Sequence, residues 1–269
     1  KDIVEPSSGR QFIKHDSLSS ISSVTLTSSD DPYSVVAGTL PTVFDTGVGS
    51  SISGWFKTTD TGVLFSNTDG AVADGLKMEV NATNMVLTLI DSSQTITAAS
   101  DVDDGEWHHV VVTKPSGTTP AIKIYVDGVE KVSTTVTTIS NDDLRGDNGF
   151  TLLNDGQNNA AATSPASTDS SKLNATLSNW SLHKEVLSIN AVQQMYSNGH
   201  VRNIKNLPGV AVSSIEAWWQ LADPTTPKND LVGTNTLVYQ DGASAALTSK
   251  LVNSDGATYV NDSINGNAM

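Results

Sequence analysis

The chain has 269 residues, 37% of them hydrophobic and 16% charged, with no cysteine and a net charge of −14. The missing cysteines exclude disulfide staples and thiolate metal sites, and the length is enough to bury a sizeable core without them. Duplex nucleic acid is a poor partner for so acidic a chain, since binding it rests on neutralising phosphates with Lys and Arg, and an anionic membrane surface is equally poor.

The opening KDIVEPSSGR lacks the apolar core of a secretory signal and begins with Lys rather than Met, as a processed or partial product would. No apolar run approaches the roughly 18 residues of a membrane span. Lys1 to Ser29 reads as a polar, Ser-rich arm with isolated Phe12, Ile13 and Leu18, and Val24 to Leu26 is a candidate first strand. Asp30 to Val36 is expected to be a short strand opening the folded core. Val63-Leu64-Phe65 and Leu76 to Val80 are predicted strands, separated by the turn-rich Ser66 to Gly75. Met85 to Ile90 reads as a strand buried on both faces or nearly so.

The most informative stretch is Asp103 to Gly128, DDGEWHHVVVTKPSGTTPAIKIYVDG. Trp107 to Val112 is short and rich in β-branched and aromatic residues, which suits a pleated strand better than a helix. Lys114 to Pro120 is a turn cluster. Ile122, Ile124 and Val126 then alternate with Lys123, Tyr125 and Asp127, predicting one apolar and one solvated face. Asp127-Gly128 is the pair that accepts the positive φ angles of a tight hairpin turn.

Asn154 to Ser171 has no periodicity and almost no bulky apolar residue, so it is expected to be a long loop, and such loops are usually functional or disordered. Leu187 to Val192 opens a predicted helix. Ser188 is its candidate N-cap, and Leu187 can staple onto Val192. Ile189, Val192 and Tyr196 are expected to share a face, with Gly199 at the C′ position. Beyond His200, Ile215 to Asp223 (IEAWWQLAD) predicts a strong strand, followed by the rigid turn Pro224 to Pro227.

DGEWHHVVVTK, a short loop and IKIYVDG together resemble the central hairpin of laminin G, pentraxin and related concanavalin A-like domains. Ser51 to Thr58 (SISGWFKT) resembles an early strand of that family, and Leu173 to Tyr196 resembles its closing strand and short helix. The three matches stand in family order. The resemblance implies an all-β, antiparallel jelly-roll β-sandwich with one short helix and a C-terminal β extension. The expected division is an N-terminal arm at 1–29, the sandwich at 30–199, and an extension or small subdomain at 200–269. It does not imply one function, because the scaffold hosts lectins, adhesion modules and hydrolases.

Asp101 to Glu106 partly resembles the E-x-D-x-x-E strand of laminarinase-type hydrolases. Retaining hydrolysis needs two carboxylates about 5–5.5 Å apart on one strand face. Here the first position is Asp101, and Gly105 signals a turn, so catalysis is set aside. His108 and His109 are neighbours on a strand, point to opposite faces and cannot share a metal. Motifs for zinc hydrolysis, nucleotide binding and a serine nucleophile elbow are missing from the chain.

Calcium is the candidate ion, since pentraxin-like relatives hold it at the sandwich rim in a loop of Asp, Asn, Gln and Glu. The corresponding loop here, Asn154 to Asn159, has one carboxylate where theirs usually has more, and the alternative is a solvated Asn/Asp turn with no ion. The resemblance places Asp155, Gln157 and Asn158 there, with Asp31 completing the site, and hard oxygen ligands suit this cation. Arg145-Gly146-Asp147 and the sequons at Asn81, Asn174, Asn179 and Asn261 have no assigned role in so turn-rich a chain. Trp218 and Trp219 must face opposite ways on a strand. One is expected in a core and the other against another chain or the N-terminal arm, making the pair an assembly site.

The expectation for function is a non-enzymatic virion structural or decoration protein, of phage type, carrying a lectin-like, glycan-binding module. AWWQLAD resembles modules attached to phage structural proteins. The expected partners are other virion proteins, copies of the chain in a homo-oligomer, and a cell-surface glycan. The alternative is a secreted bacterial lectin or adhesin, located outside the cell.

Overall fold

Period-two alternation of apolar side chains becomes two antiparallel sheets packed face to face. The computed structural model describes residues 41–68, 74–145, 149–155, 172–197, 203–221 and 229–239, and four short strands at 3–4, 12–13, 24–26 and 33–35. The first sheet runs β12 (Val129–Thr135), β11 (Ala121–Val126), β10 (Trp107–Lys114), β5 (Ser50–Lys57), β14 (Ala175–His183) and β15 (Ile215–Trp219). A further strand, β3 (Val24–Leu26), also pairs with β14. The second sheet runs β16 (Leu237–Tyr239), β4 (Tyr33–Val35), β13 (Thr151–Leu152), β6 (Gly62–Ser66), β7 (Leu76–Asn81), β8 (Asn84–Leu89) and β9 (Gln94–Ala99). Apart from both, β1 (Ile3–Val4) pairs with β2 (Phe12–Ile13). This is the jelly-roll sandwich the sequence predicts.

The main core lies between the sheets and holds Phe56, Phe65, Met78, Leu87, Trp180 and Trp219, all buried. β5 and β14 meet so closely there that a Cβ on Gly54 would overlap the Trp180 indole. That contact explains a glycine in the middle of a central strand. Asp127 (φ 52°) and Gly128 (φ 76°) both adopt positive φ in the β11–β12 turn, as their sequence predicts.

A second apolar cluster covers the outer face of the first sheet. Helix α1 (Ile189–Tyr196) is N-capped by Ser188, whose Oγ accepts from the Ala191 N–H at 3.2 Å. It buries Ala191, Val192 and Met195 against Val111, Tyr125, Leu187 and Trp218. The helical face therefore differs from the expected one, because Ile189 is 42% exposed. The helix also stops early, with Ser197 left-handed at φ 42°, and Gly199 lies outside the described residues.

This layer makes the two sheets unlike. β5, β10 and β14 are buried on both faces along most of their length, whereas β7, β8 and β9 alternate. Two expectations are corrected as a result. Tyr125 is buried rather than solvated, because α1 covers its face. β8 buries Met85, Leu87 and Leu89 but leaves Val86 and Thr88 partly open, because nothing described covers the second sheet's outer face.

Three strands from the end segments pair into the sandwich. β3 comes from the expected arm, and β15 and β16 come from the expected extension, yet all three pair into the sheets. The tryptophan pair, expected to be an assembly site, leaves neither indole exposed. Trp218 is 2% exposed and Trp219 fully buried within the single chain. Trp219 faces the inter-sheet core, stacked on Phe150, and donates its Nε1–H to the Asn235 carbonyl. Trp218 faces the helix layer, and its Nε1–H donates to Asn179 Oδ1. The second indole, expected against another chain or the N-terminal arm, joins the apolar layer built with α1, and the Lys205 ammonium lies 5.7 Å from its ring centroid.

Candidate functional site

Three groups of polar residues stand out, and the first is the expected metal loop. Asp155 follows β13 and is buried, its Oδ1 accepting from the Thr68 hydroxyl at 2.5 Å. Its Oδ2 faces the Lys77 ammonium at 3.3 Å, and Lys77 also reaches Glu79 at 3.3 Å. Lys77 is buried enough to lose some of its charge preference, but these two carboxylates hold its pKa above the ordinary value. A cation already sits against this carboxylate, so Asp155 as placed does not fit a calcium ligand. Gln157, Asn158 and Asp31 lie outside the described residues. Among the described residues no group of three or more metal-ligating side chains comes together.

The second group lies at the start of β10. Asp101 to Glu106 forms an irregular turn, with Gly105 at φ 81° and Asp101, Asp104 and Glu106 exposed. These carboxylates do not share a strand face, which a retaining hydrolase would require. Asp104 and Asp127 instead bracket His108, at 3.1 Å from Nε2 and 2.8 Å from Nδ1. Carboxylates only accept, so both ring nitrogens carry protons and the ring is an imidazolium. Burial alone would lower its pKa, but Asp127 and Asp104 raise it above the ordinary histidine value. Hydrogen bonding from the Glu106 N–H, with His108 beside it, lowers the Asp104 pKa.

The third group is buried beneath α1. Ser53 Oγ lies 2.9 Å from His109 Nε2, and Ser181 Oγ lies 2.9 Å from His183 Nε2. The other nitrogen of each ring, Nδ1, has no partner among the described residues. Burial pushes His109 down to about 3, with Asp127 opposing slightly, and His183 down to about 4. These serine–histidine pairs cannot act as nucleophiles on a substrate, because both are sealed. Neither pair is legible from the sequence, since it depends on which strand lies beside which.

No described element covers the outer face of the second sheet. Lys77, Glu79, Val86, Thr88, Thr95 and Thr97 line it, all partly or fully exposed. It offers hydroxyls, one ion pair and little apolar area, the makings of a shallow hydrogen-bonding surface. Arg145 of the RGD tripeptide pairs with Asp45 at 3.0 Å, and Gly146 and Asp147 lie outside the described residues. No helix among the described residues is long and apolar enough to cross a membrane.

A family model described as the concanavalin A-like lectin/glucanases superfamily matches residues 28–188. No curated protein matches the chain by sequence. Among solved structures, a Bacteroides ovatus protein with a provisional carbohydrate-binding assignment is 14% identical. It aligns with TM-score 0.55 over 80% of this chain and 56% of its own. Mouse laminin α1 domains LG4-5 are also 14% identical, with TM-score 0.46 over 62% of this chain and 43% of theirs. The chain thus spans less than two thirds of the length of either.

Proposed function

The chain belongs to the concanavalin A-like lectin/glucanases superfamily, and from that premise we propose that it is a non-enzymatic, glycan-binding module of a virion structural or decoration protein. The observation that carries the binding half is the asymmetry of the sandwich. The central strands of one sheet are buried on both faces along most of their length, while the other sheet presents a hydroxyl-rich face that no described residue covers. A surface of that kind suits a hydroxylated ligand held by many weak polar contacts. The non-enzymatic half is supported by the turn at Asp101 to Glu106, which holds these carboxylates off any strand and sets Asp104 against His108.

The virion half is supported by the absence of cysteine, by the likeness of the Trp218-Trp219 segment to phage structural modules, and by an exposed apolar cluster. Val186, Ile189 and Val212, exposed by 44%, 42% and 51%, gather where Glu185 ties the 211–214 turn to the start of α1. Exposed apolar groups of this sort mark contact sites, here for a neighbouring virion protein or a second copy of the chain.

The test has two arms. A broad glycan array with the full chain is expected to show binding of at least one glycan class, and an empty array refutes the module reading. Fractionation of the native source is expected to place the protein in particles. Recovery with cell envelopes would instead support a bacterial lectin or adhesin. Turnover of laminarin or agar that vanishes in Glu106→Gln would overturn the non-enzymatic reading.

A further inference from the structure

On the outer face of the first sheet, helix α1 ends at Tyr196 and leaves one row of side chains beyond its reach. β10, β5 and β14 set Trp107, Lys57 and Thr176 directly opposite one another across three strands. At ordinary strand spacing the row is about 10 Å from first to last. All three residues are partly exposed.

Two features of the row are unusual in this molecule. Trp107 and Tyr196 are the two aromatic side chains, of those whose burial is described, that are not buried. Tyr196 stacks on Trp55, with ring centroids 5.7 Å apart. The Trp107 indole has neither a ring contact nor a hydrogen bond among the described residues. The Lys57 ammonium is likewise without a partner there. Lys131, which is exposed, is also without one, whereas Lys77, Lys123, Lys184 and Arg145 hold carboxylates, and Lys114 donates to the carbonyls of Asp45, Val48 and Pro115.

An ammonium with no counter-charge on a partly exposed residue, in a chain of net charge −14, is a place where an anion meets no internal competitor. The carboxylates at the start of β10 do not fill it. Asp104 and Asp127 turn to His108, which shares the inter-sheet side of the strand with Phe56. Beside the ammonium stands an open indole face, which gains from covering by an apolar ring surface.

A ligand that satisfies both at once needs a C–H face and, next to it, a carboxylate. We propose that Trp107 and Lys57 form a subsite for an acidic pyranoside of the uronic or sialic type. The indole stacks on the sugar's C–H face, and the ammonium pairs with its carboxylate. The proposal rests on the glycan-binding reading and adds a contact on the sheet opposite the open face.

Titration of the full chain, read by tryptophan fluorescence and saturation-transfer NMR, tests it with tetragalacturonate, 3′-sialyllactose and neutral cellotetraose as probes. An acidic probe is expected to bind, and to weaken at least about tenfold in Trp107→Ala. Trp107→Phe should retain most of the affinity, and Lys57→Gln should lose both the preference for acid and the sensitivity to salt. Binding of tetragalacturonate alone identifies the uronic source, and binding of 3′-sialyllactose alone the sialic one. Acidic binding unchanged in Trp107→Ala and Lys57→Gln, both melting as the parent does, overturns the subsite and leaves the glycan-binding reading standing. Binding of cellotetraose alone overturns the acidic class. Binding of none of the three overturns the subsite, while the broad array decides the glycan-binding reading separately.

Discussion

Acidification from pH 7 to pH 5 should destabilise the protein through the two histidines sealed beneath α1. In the unfolded chain each imidazole titrates near 6.5, whereas burial holds His109 near 3 and His183 near 4 in the fold. A folded pKa below the unfolded one means that stability is complete above about 6.5 and is lost as pH falls, because the unfolded state binds the extra protons. At pH 5 each ring has forgone about 1.5 pH units of protonation, or about 2 kcal/mol. The pair therefore costs about 4 kcal/mol, a large part of the total stability of a typical domain. His108 acts with the opposite sign. Its raised pKa adds stability at low pH that is lost as pH rises through the folded value, so it offsets part of the loss. Urea unfolding at intervals from pH 7.5 to 5 measures the slope above the carboxylate range. Replacing both rings in His109→Gln/His183→Gln should flatten the curve or reverse it, leaving His108 to set the sign. A parent curve as flat as the double variant's would refute the reasoning.

Gly54→Ala should cost at least about 1–3 kcal/mol by overpacking, because its methyl would overlap the Trp180 indole; urea midpoints compare it with Gly47→Ala, which meets nothing within 4 Å. Asp155→Asn should lose the Lys77 pairing and cost about 1–3 kcal/mol, equally with calcium and with chelator in thermal melts. A calcium-dependent rise in the parent that the variant lacks would show Asp155 to be a ligand despite Lys77. Trp219→Ala should cost about 3–5 kcal/mol through the cavity it leaves in the inter-sheet core. Trp218→Ala should speed amide exchange in helix α1 with less effect on β6 to β9.

Much of the sandwich is legible in the sequence because its signals are local. Trp107 to Gly128 alternates, turns and closes a hairpin using only its own residues, and the Ser188 cap needs only the helix it opens. The misread faces depended on a distant segment. Tyr125 reads as solvated until α1, some sixty residues later, is laid over it, and Met85 to Ile90 reads as doubly buried because its apolar density says nothing about which face is covered. The candidate site was less legible for the same reason. Nothing in WHHVVVTK shows that α1 stops short of Trp107, or that Lys57 is the residue opposite. The expected loop was read from oxygen-bearing residue types, and the Lys77 ammonium that meets Asp155 comes from another strand.

The tryptophan pair shows how one local pattern can support the wrong inference from a correct premise. Adjacent residues on a strand do face opposite ways, and two indoles of roughly 150–250 Å² each must both be covered. The error was to count a single core. A strand at the side of a sandwich whose outer face is also sealed has two apolar surfaces to meet, and β15 supplies one indole to each. Asp230 reinforces the arrangement, accepting from the N–H groups of Trp218, Val232 and Asn235, so the segment after β15 folds back onto it. β15 is therefore the strand through which the helix layer and the inter-sheet core are coupled. A body ending at residue 199 would leave β14 without this neighbour and each core without one buried indole. Residues 215–219 and 237–239 thus complete the sandwich from within, and Trp218 and Trp219 are buried in its two cores rather than left for partners.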